Sequence, residues 1–172
     1  MDFLELSKKR YSVRKYSDRP VEDEKLQKIL EAAKLAPTAC NFQPQRIYVL
    51  KSESTKDKLS AITRMTYGAP IVLLVCFDED VSWKNTPETF GEYYEGGEMD
   101  ATIVGTQMMN MATELGLGTL WARGFDSKKV HEAFNLPANI RVAFILDVGY
   151  PGETSVNPHT KRNDISSFVT EL

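Results

Sequence analysis

Arg10, Ser12 and Arg14 lie in the run Lys8-Lys9-Arg10-Tyr11-Ser12-Val13-Arg14-Lys15-Tyr16, where five of nine residues are cationic. The chain as a whole has 21 basic and 24 acidic residues, a formal charge of −3. A cationic cluster on an acidic background calls for a local anion. In an extended segment alternate residues project to one side, so Arg10, Ser12 and Arg14 share a face. Two guanidinium forks flanking a hydroxyl suit a phosphate, because arginine donates bidentately to phosphate oxygens. A solvated basic turn after a short helix explains the same residues equally well, and the stretch alone does not decide between the two.

A second stretch, Ala36-Pro37-Thr38-Ala39-Cys40-Asn41-Phe42-Gln43-Pro44, places a hydroxyl and two amides between prolines. Amides both donate and accept, so Asn41 and Gln43 suit the edge of a heterocycle carrying mixed carbonyl and N–H groups. The competing account is an Asx-type turn in which Asn41 bonds its own backbone.

Other catalytic signatures fail. Gly116-Leu117-Gly118-Thr119-Leu120-Trp121 begins like a dinucleotide fingerprint, but it lacks a third glycine and precedes a strand. No Walker-type loop or Gly-x-Ser-x-Gly elbow occurs. His131 and His159 are isolated, without metal-ligand spacing, and Cys40 and Cys76 form no CxxC. An enzyme built this way would leave its chemistry to a cofactor.

The composition sets bounds. At 172 residues, 42% apolar and 26% charged, the chain reads as one globular domain spanning residues 1–172. A pI near 5.5 argues against a nucleic-acid binder working by bulk electrostatics. Two cysteines suggest reduced thiols. The first residues lack the basic region and apolar run of a signal peptide, and Ala69–Phe77 is too short to span a bilayer, so a soluble, cytoplasmic protein is expected.

The elements that must position these motifs follow from periodicity. Helices are expected at residues 2–8, 21–36, 54–62 (with Ser54 as a possible cap), 98–115 and 127–135. Strands are expected at 46–50, 71–77, 118–122 and 141–148, two of them continuous apolar runs of the kind buried on both faces. Residues 78–97 show no sustained period but carry Trp83, Phe90, Tyr93 and Tyr94. Ile165, Phe168, Val169 and Leu172 end the chain with an apolar segment that must pack on its own core or on a partner. The class is α/β or α+β, with helices covering a sheet.

Taken together and in order, these segments resemble the nitroreductase family of flavin enzymes over nearly the whole chain. Residues 10–16 are similar to its Arg-x-Ser-x-Arg phosphate motif, and residues 36–44 to its Ala-Pro-Ser-x-x-Asn-x-Gln-Pro segment, with Thr38 for Ser. Residues 116–121 are similar to its Gly-Leu-Gly strand. Leu136-Pro137 through Gly149-Tyr150-Pro151 resemble its closing strand and turn, and Lys161-Arg162 its late basic position.

The resemblance implies an α+β fold with a central mixed, mainly antiparallel sheet flanked by helices, forming a homodimer with FMN in each of two intersubunit clefts. Arg10, Ser12, Arg14 and Arg162 would hold the phosphate, with Tyr11 and Lys161 adjacent. Pro37, Thr38, Ala39 and Asn41 would contact the flavin of the other subunit, with Gln43 either a ligand or a brace for the loop. Trp121, Ala122, Arg123 and Gly124 would line one side of the ring, mostly through backbone. The implied reaction is ping-pong: NADH or NADPH reduces FMN by hydride transfer, then a nitroaromatic, quinone or similar acceptor takes the electrons. The chain departs from larger relatives in its short 78–97 segment, expected as a partial lid, and in Arg123, expected at the flavin N1–C2 carbonyl, at a substrate anion, or pointing away from the ring. A flavin-holding protein without turnover is the alternative function.

Overall fold

The computed structural model describes residues 2–153 and 161–172. Helices α1 (Phe3–Lys9) and α2 (Asp23–Lys34) precede strand β1 (Gln45–Leu50). Helix α3 (Glu53–Ser60) leads to β2 (Ile71–Asp78), and a small excursion follows: β3 (Lys84–Asn85), α4 (Pro87–Phe90) and β4 (Tyr94–Glu95). The long helix α5 (Gly97–Glu114), strand β5 (Gly118–Ala122), helix α6 (Ser127–Ala133) and strand β6 (Ile140–Gly149) complete the domain. Among the described residues no helix is long and apolar enough to cross a membrane.

The central sheet has the order β1-β2-β6-β5, antiparallel at each pairing, and the parallel component is the isolated bridge Ser12–Thr119. β2 is buried along its whole length, as its unbroken apolar run requires. Ile71, Leu73, Val75 and Phe77 join one core layer with α2 and α5, while Val72, Leu74 and Cys76 join the other with Leu59 of α3 and Val130 of α6. Burial pushes the Cys76 thiol up to about 12.

The pairing of β2 with β6 shifts register between Val75 and Cys76, which face Phe144 and Val142, so Ala143 is the extra residue of a bulge. Phe144 then lies under α5, where a Cβ on Gly105 would overlap its ring. The small residue at 105 therefore serves the approach of helix to sheet. At its end α5 unwinds through Leu115 and Gly116, whose φ of 77° and backbone bond to Thr113 form the expected glycine stop. Lys25 Nζ donates to Leu115 O at 2.8 Å and to the Tyr150 hydroxyl at 2.7 Å, tying α2 to both the end of α5 and the turn after β6.

Two expectations are corrected. Ser52, not Ser54, caps α3, because its hydroxyl is the one placed to accept from Thr55 N–H. Residues 78–97 are not an irregular loop: β3 pairs with β4, α4 forms the tip, and Trp83 packs 6.5 Å from Phe90. Two-residue strands and a one-turn helix are too short to leave a sustained period. The apolar side of α5, with Ala101, Val104, Met108 and Ala112, is buried within the chain. The terminal segment differs: Ile165 and Phe168 are 68% and 71% exposed, so it does not pack on its own core.

Asp147 is fully buried on β6, and neither carboxyl oxygen has a hydrogen-bond partner among the described residues. Burial pushes this carboxyl up to about 8. Burial, reinforced by Asp147, also raises the Tyr16 phenol.

Two predictions follow from this packing. Gly105→Ala should cost about 1–3 kcal/mol, as over-packing does elsewhere, measured by urea unfolding. For Asp147, the folded state keeps a proton that the unfolded state, with an ordinary carboxyl near 3.9, releases. This contribution is complete below about pH 4 and is lost as pH rises to about 8, with a slope of at most about 1.4 kcal/mol per pH unit. Asp147→Asn should remove that component from unfolding curves collected between pH 5 and 9.

Candidate functional site

The cationic run is seated on β5. α1 ends where Arg10 N–H bonds Leu6 O, and the chain turns extended at Arg10. Lys8 and Lys9 fall in the last turn of α1, where cations complement the helix dipole, and Lys8 pairs with Glu5. Beyond them Val13 N–H bonds Thr119 O at 2.9 Å, beside the Ser12–Thr119 bridge. Val13 is completely buried, whereas Ser12 is half-buried and Arg14 exposed, so the alternation read from the sequence holds. A Cβ at Gly118 would overlap Val13 Cγ2. The second glycine of Gly-Leu-Gly thus admits the valine and brings Arg10, Ser12 and Arg14 onto this strand.

Further contacts fix the segment. Tyr16 bridges Pro151, Ser17 N–H bonds Tyr150 O, and Gly152 N–H bonds Lys15 O. Arg14 Nη1 reaches Ser12 O at 3.3 Å. A small cleft of about 110 Å³ beside Arg10 is lined by Lys9, Arg10, Tyr11, Thr113, Gly116, Leu117, Gly118 and Pro151; Ser12 and Arg14 are not part of its lining.

Farther along the same edge lie Trp121 to Gly124. Trp121 stacks on Phe144 with ring centroids 4.9 Å apart and keeps 38% of its surface exposed. Ala122 is buried, while Arg123 and Gly124 are exposed. Arg123 Nη1 donates to Ser127 Oγ at 2.9 Å, its Nε lies 3.9 Å from Glu98, and its guanidinium sits 5.2 Å from the Phe125 ring. Gly124 O accepts from Thr63 Oγ1. The phosphate-type cluster and this strip of backbone are therefore contiguous on one edge.

The 37–43 loop is elsewhere. Thr119 aligns through Val148 with Ile71 at one end of β2, whereas Gln45, just after the loop, faces Phe77 at the other. Six residues of strand separate those ends, about 20 Å at ~3.3 Å per residue. The loop forms a short 3₁₀ turn at Ala39–Asn41, with Cys40, Asn41 and Gln43 at φ of 50°, 57° and 54°. Pro37, Asn41 and Gln43 are exposed, and Thr38 and Ala39 half-buried. Gln43 N–H bonds Thr38 Oγ1, and Gln43 Nε2 donates to Asn41 O, so Gln43 braces the loop. Ala39 N–H bonds the buried Asp100 at 2.9 Å.

Lys161 and Arg162 are exposed, with Arg162 Nη1 donating to Lys161 O. His131 is engaged with Pro137 O at 2.9 Å, and His159 lies outside the described residues. Asp100, Glu98 and the Val13–Gly118 contact were not foreseen. Acids in a first helical turn read as dipole complements, and only the tertiary arrangement shows what they face.

The chain is similar to known proteins over most of its length. The nitroreductase family model matches residues 7–67 and 62–150. An Archaeoglobus fulgidus protein, provisionally named an NADH dehydrogenase/NAD(P)H nitroreductase, is 33% identical over 150 residues, covering 83% of this chain and 81% of its own. The solved structure of a nitroreductase family protein from Clostridium difficile superposes with a TM-score of 0.90 at 39% identity, covering 99% of this chain and 98% of the other. A Desulfovibrio desulfuricans protein, provisionally named a nitroreductase and crystallised with FMN, matches at a TM-score of 0.79 and 26% identity, covering 98% and 95%. With a family model spanning most of its length, this chain belongs to the nitroreductase family.

Proposed function

We propose that the protein is an FMN-dependent oxidoreductase, passing electrons from NADH or NADPH to nitroaromatic, quinone or similar acceptors, and that it works as a homodimer. The observation that carries this reading is the contiguity of Arg10, Ser12 and Arg14 with Trp121–Gly124 along β5. One end of that ledge offers guanidinium and hydroxyl donors to a phosphate, and the other offers an exposed indole and backbone to a flat ring.

The donor set fits FMN. Arg10 and Arg14 bind the phosphate charge, Ser12 and Tyr11 add hydroxyls, and Lys161 and Arg162 supply the remaining cations. Ala122, Arg123 and Gly124 orient the ring through their backbone, and Trp121 limits water on that side. Bound FMN would supply the redox chemistry, taking two electrons from the nicotinamide nucleotide before the acceptor replaces it. Arg123, braced by Ser127, would meet either the flavin N1–C2 carbonyl or an anionic group of the substrate.

The homodimer rests on exposed surface. Pro37, Asn41 and Gln43 face solvent and are left uncovered by the chain's own core. A two-fold partner presents the same loop a second time, bringing Pro37, Thr38, Ala39, Asn41 and Gln43 to the ledge. The same partner gives Ile165, Phe168, Val169 and Leu172 a surface to cover, and it lets the exposed Phe90, Tyr93 and Tyr94 of the β3–β4 excursion close over the cleft.

The test is the absorbance spectrum of the purified protein, followed anaerobically as NADH and then NADPH are added. A flavin spectrum that bleaches and returns with a nitroaromatic or quinone is expected. Protein that takes up no added FMN would overturn the proposal, and flavin that binds but is never bleached would establish the flavin-holding alternative. Arg10→Ala should raise the FMN dissociation constant about 10-fold or more, the loss of a charged hydrogen bond worth about 1.5–3 kcal/mol. Its circular dichroism should match the parent's.

A further inference from the structure

The 37–43 loop is shaped mainly from within. Asn41 N–H bonds Thr38 O, Phe42 N–H bonds Ala39 O, and Gln43 bonds both Thr38 Oγ1 and Asn41 O. These contacts close the loop on itself without fixing it to the domain. Its far end is anchored where Arg46 Nη1 reaches Gln43 O and Asp78 N–H reaches Pro44 O. Its near end is tied to α5 by the bond from Ala39 N–H to Asp100 Oδ1.

Three non-glycine residues of the loop are held at positive φ. Such conformations are uncommon, and they persist where surrounding contacts over-determine them. Asp100 is suited to that task. It is only 2% exposed and sits in the first turn of α5, where a carboxylate is favoured. Its bond to a backbone N–H is charge-assisted and shielded from water. The same turn carries Glu98, whose 3.9 Å approach to Arg123 is between largely exposed groups and is worth little. The buried arm decides the geometry.

We propose that Asp100 is a positioning residue: through Ala39 N–H it sets the 37–43 loop in the shape that meets the flavin of a second copy. The inference rests on the FMN reading above for its ligand, but the bond and its effect on the loop do not. Asp100 Oδ2 is buried and has no donor among the described residues. Asparagine at 100 keeps an acceptor toward Ala39 N–H, removing the charge but not that bond.

The experiment combines hydrogen exchange across residues 37–43 of the apo protein with FMN titration. Asp100→Ala should speed exchange of the loop amides at least tenfold and raise the FMN dissociation constant at least tenfold. Asp100→Asn should stay within about threefold on both, and Glu98→Gln within about twofold. Ala39→Pro removes the same bond from the other side. Thr38 is already extended, at φ −135° and ψ 159°, and Ala39 opens the 3₁₀ turn, so proline fits there sterically. It should weaken FMN as Asp100→Ala does, and the double variant should be no worse than the weaker-binding single one. If Asp100→Ala does not fold, Asp100→Asn and Ala39→Pro carry the test.

Parent-like exchange in Asp100→Ala or parent-like FMN binding in Ala39→Pro would overturn the inference. So would faster exchange with unchanged FMN affinity, or an asparagine variant as impaired as the alanine one. A parent protein that binds no FMN would instead overturn the functional proposal, leaving the exchange comparison to decide whether Asp100 sets the loop.

Discussion

The contact on which the site depends is between Val13 and the vacant side-chain position of Gly118. β5 is an edge strand, and an uncovered edge offers backbone groups to any passing strand. Here a segment with a buried valine lies against it, held by Val13 N–H to Thr119 O and locked further on by Tyr16, Ser17 and Gly152. Because Val13 faces inward, the residues on either side face out. One apolar contact therefore fixes the orientation of two arginines and a serine, and a bulkier residue at 118 would displace them together.

The long helix plays a complementary part. Gly97 and Gly105 let α5 lie close on the phenyl rings of Phe77 and Phe144, one from each central strand. Phe144 in turn supports Trp121 from behind. The first turn of α5 reaches the 37–43 loop through Asp100 and approaches Arg123 through Glu98. The depth at which a helix packs on its sheet thus sets the separation of two segments that are distant in sequence.

Much of this was legible in the residues. β5 runs from Gly118 to Ala122 as its pattern indicated, and α5 ends at the glycine that signals its stop. The buried strands β2 and β6 announce themselves as unbroken apolar runs, since nothing polar can sit in a strand covered on both sides. Asp147 is the exception: it falls inside the expected 141–148 strand, but nothing in the sequence shows that its buried carboxyl has no partner among the described residues. The β3–β4 excursion and the Ser52 cap were missed because short elements leave no period and neighbouring serines look alike. The three left-handed residues of the 37–43 loop were invisible for another reason. Cys40 and Gln43 have no intrinsic preference for that conformation, so it is imposed by the loop's own hydrogen bonds together with the anchor on Asp100.

The pairing of Ser12 with Thr119 and of Tyr16 with Pro151 joins the beginning of the chain to β5 and to the turn after β6. On the ribosome, helix α1 and the cationic segment emerge first but have nothing to dock on until β5 and β6 have been made. The ledge is therefore assembled late, and chains cut short before Gly118 cannot display it, however well their first helices form. Only a molecule translated through both β5 and β6 possesses the edge that would hold a phosphate.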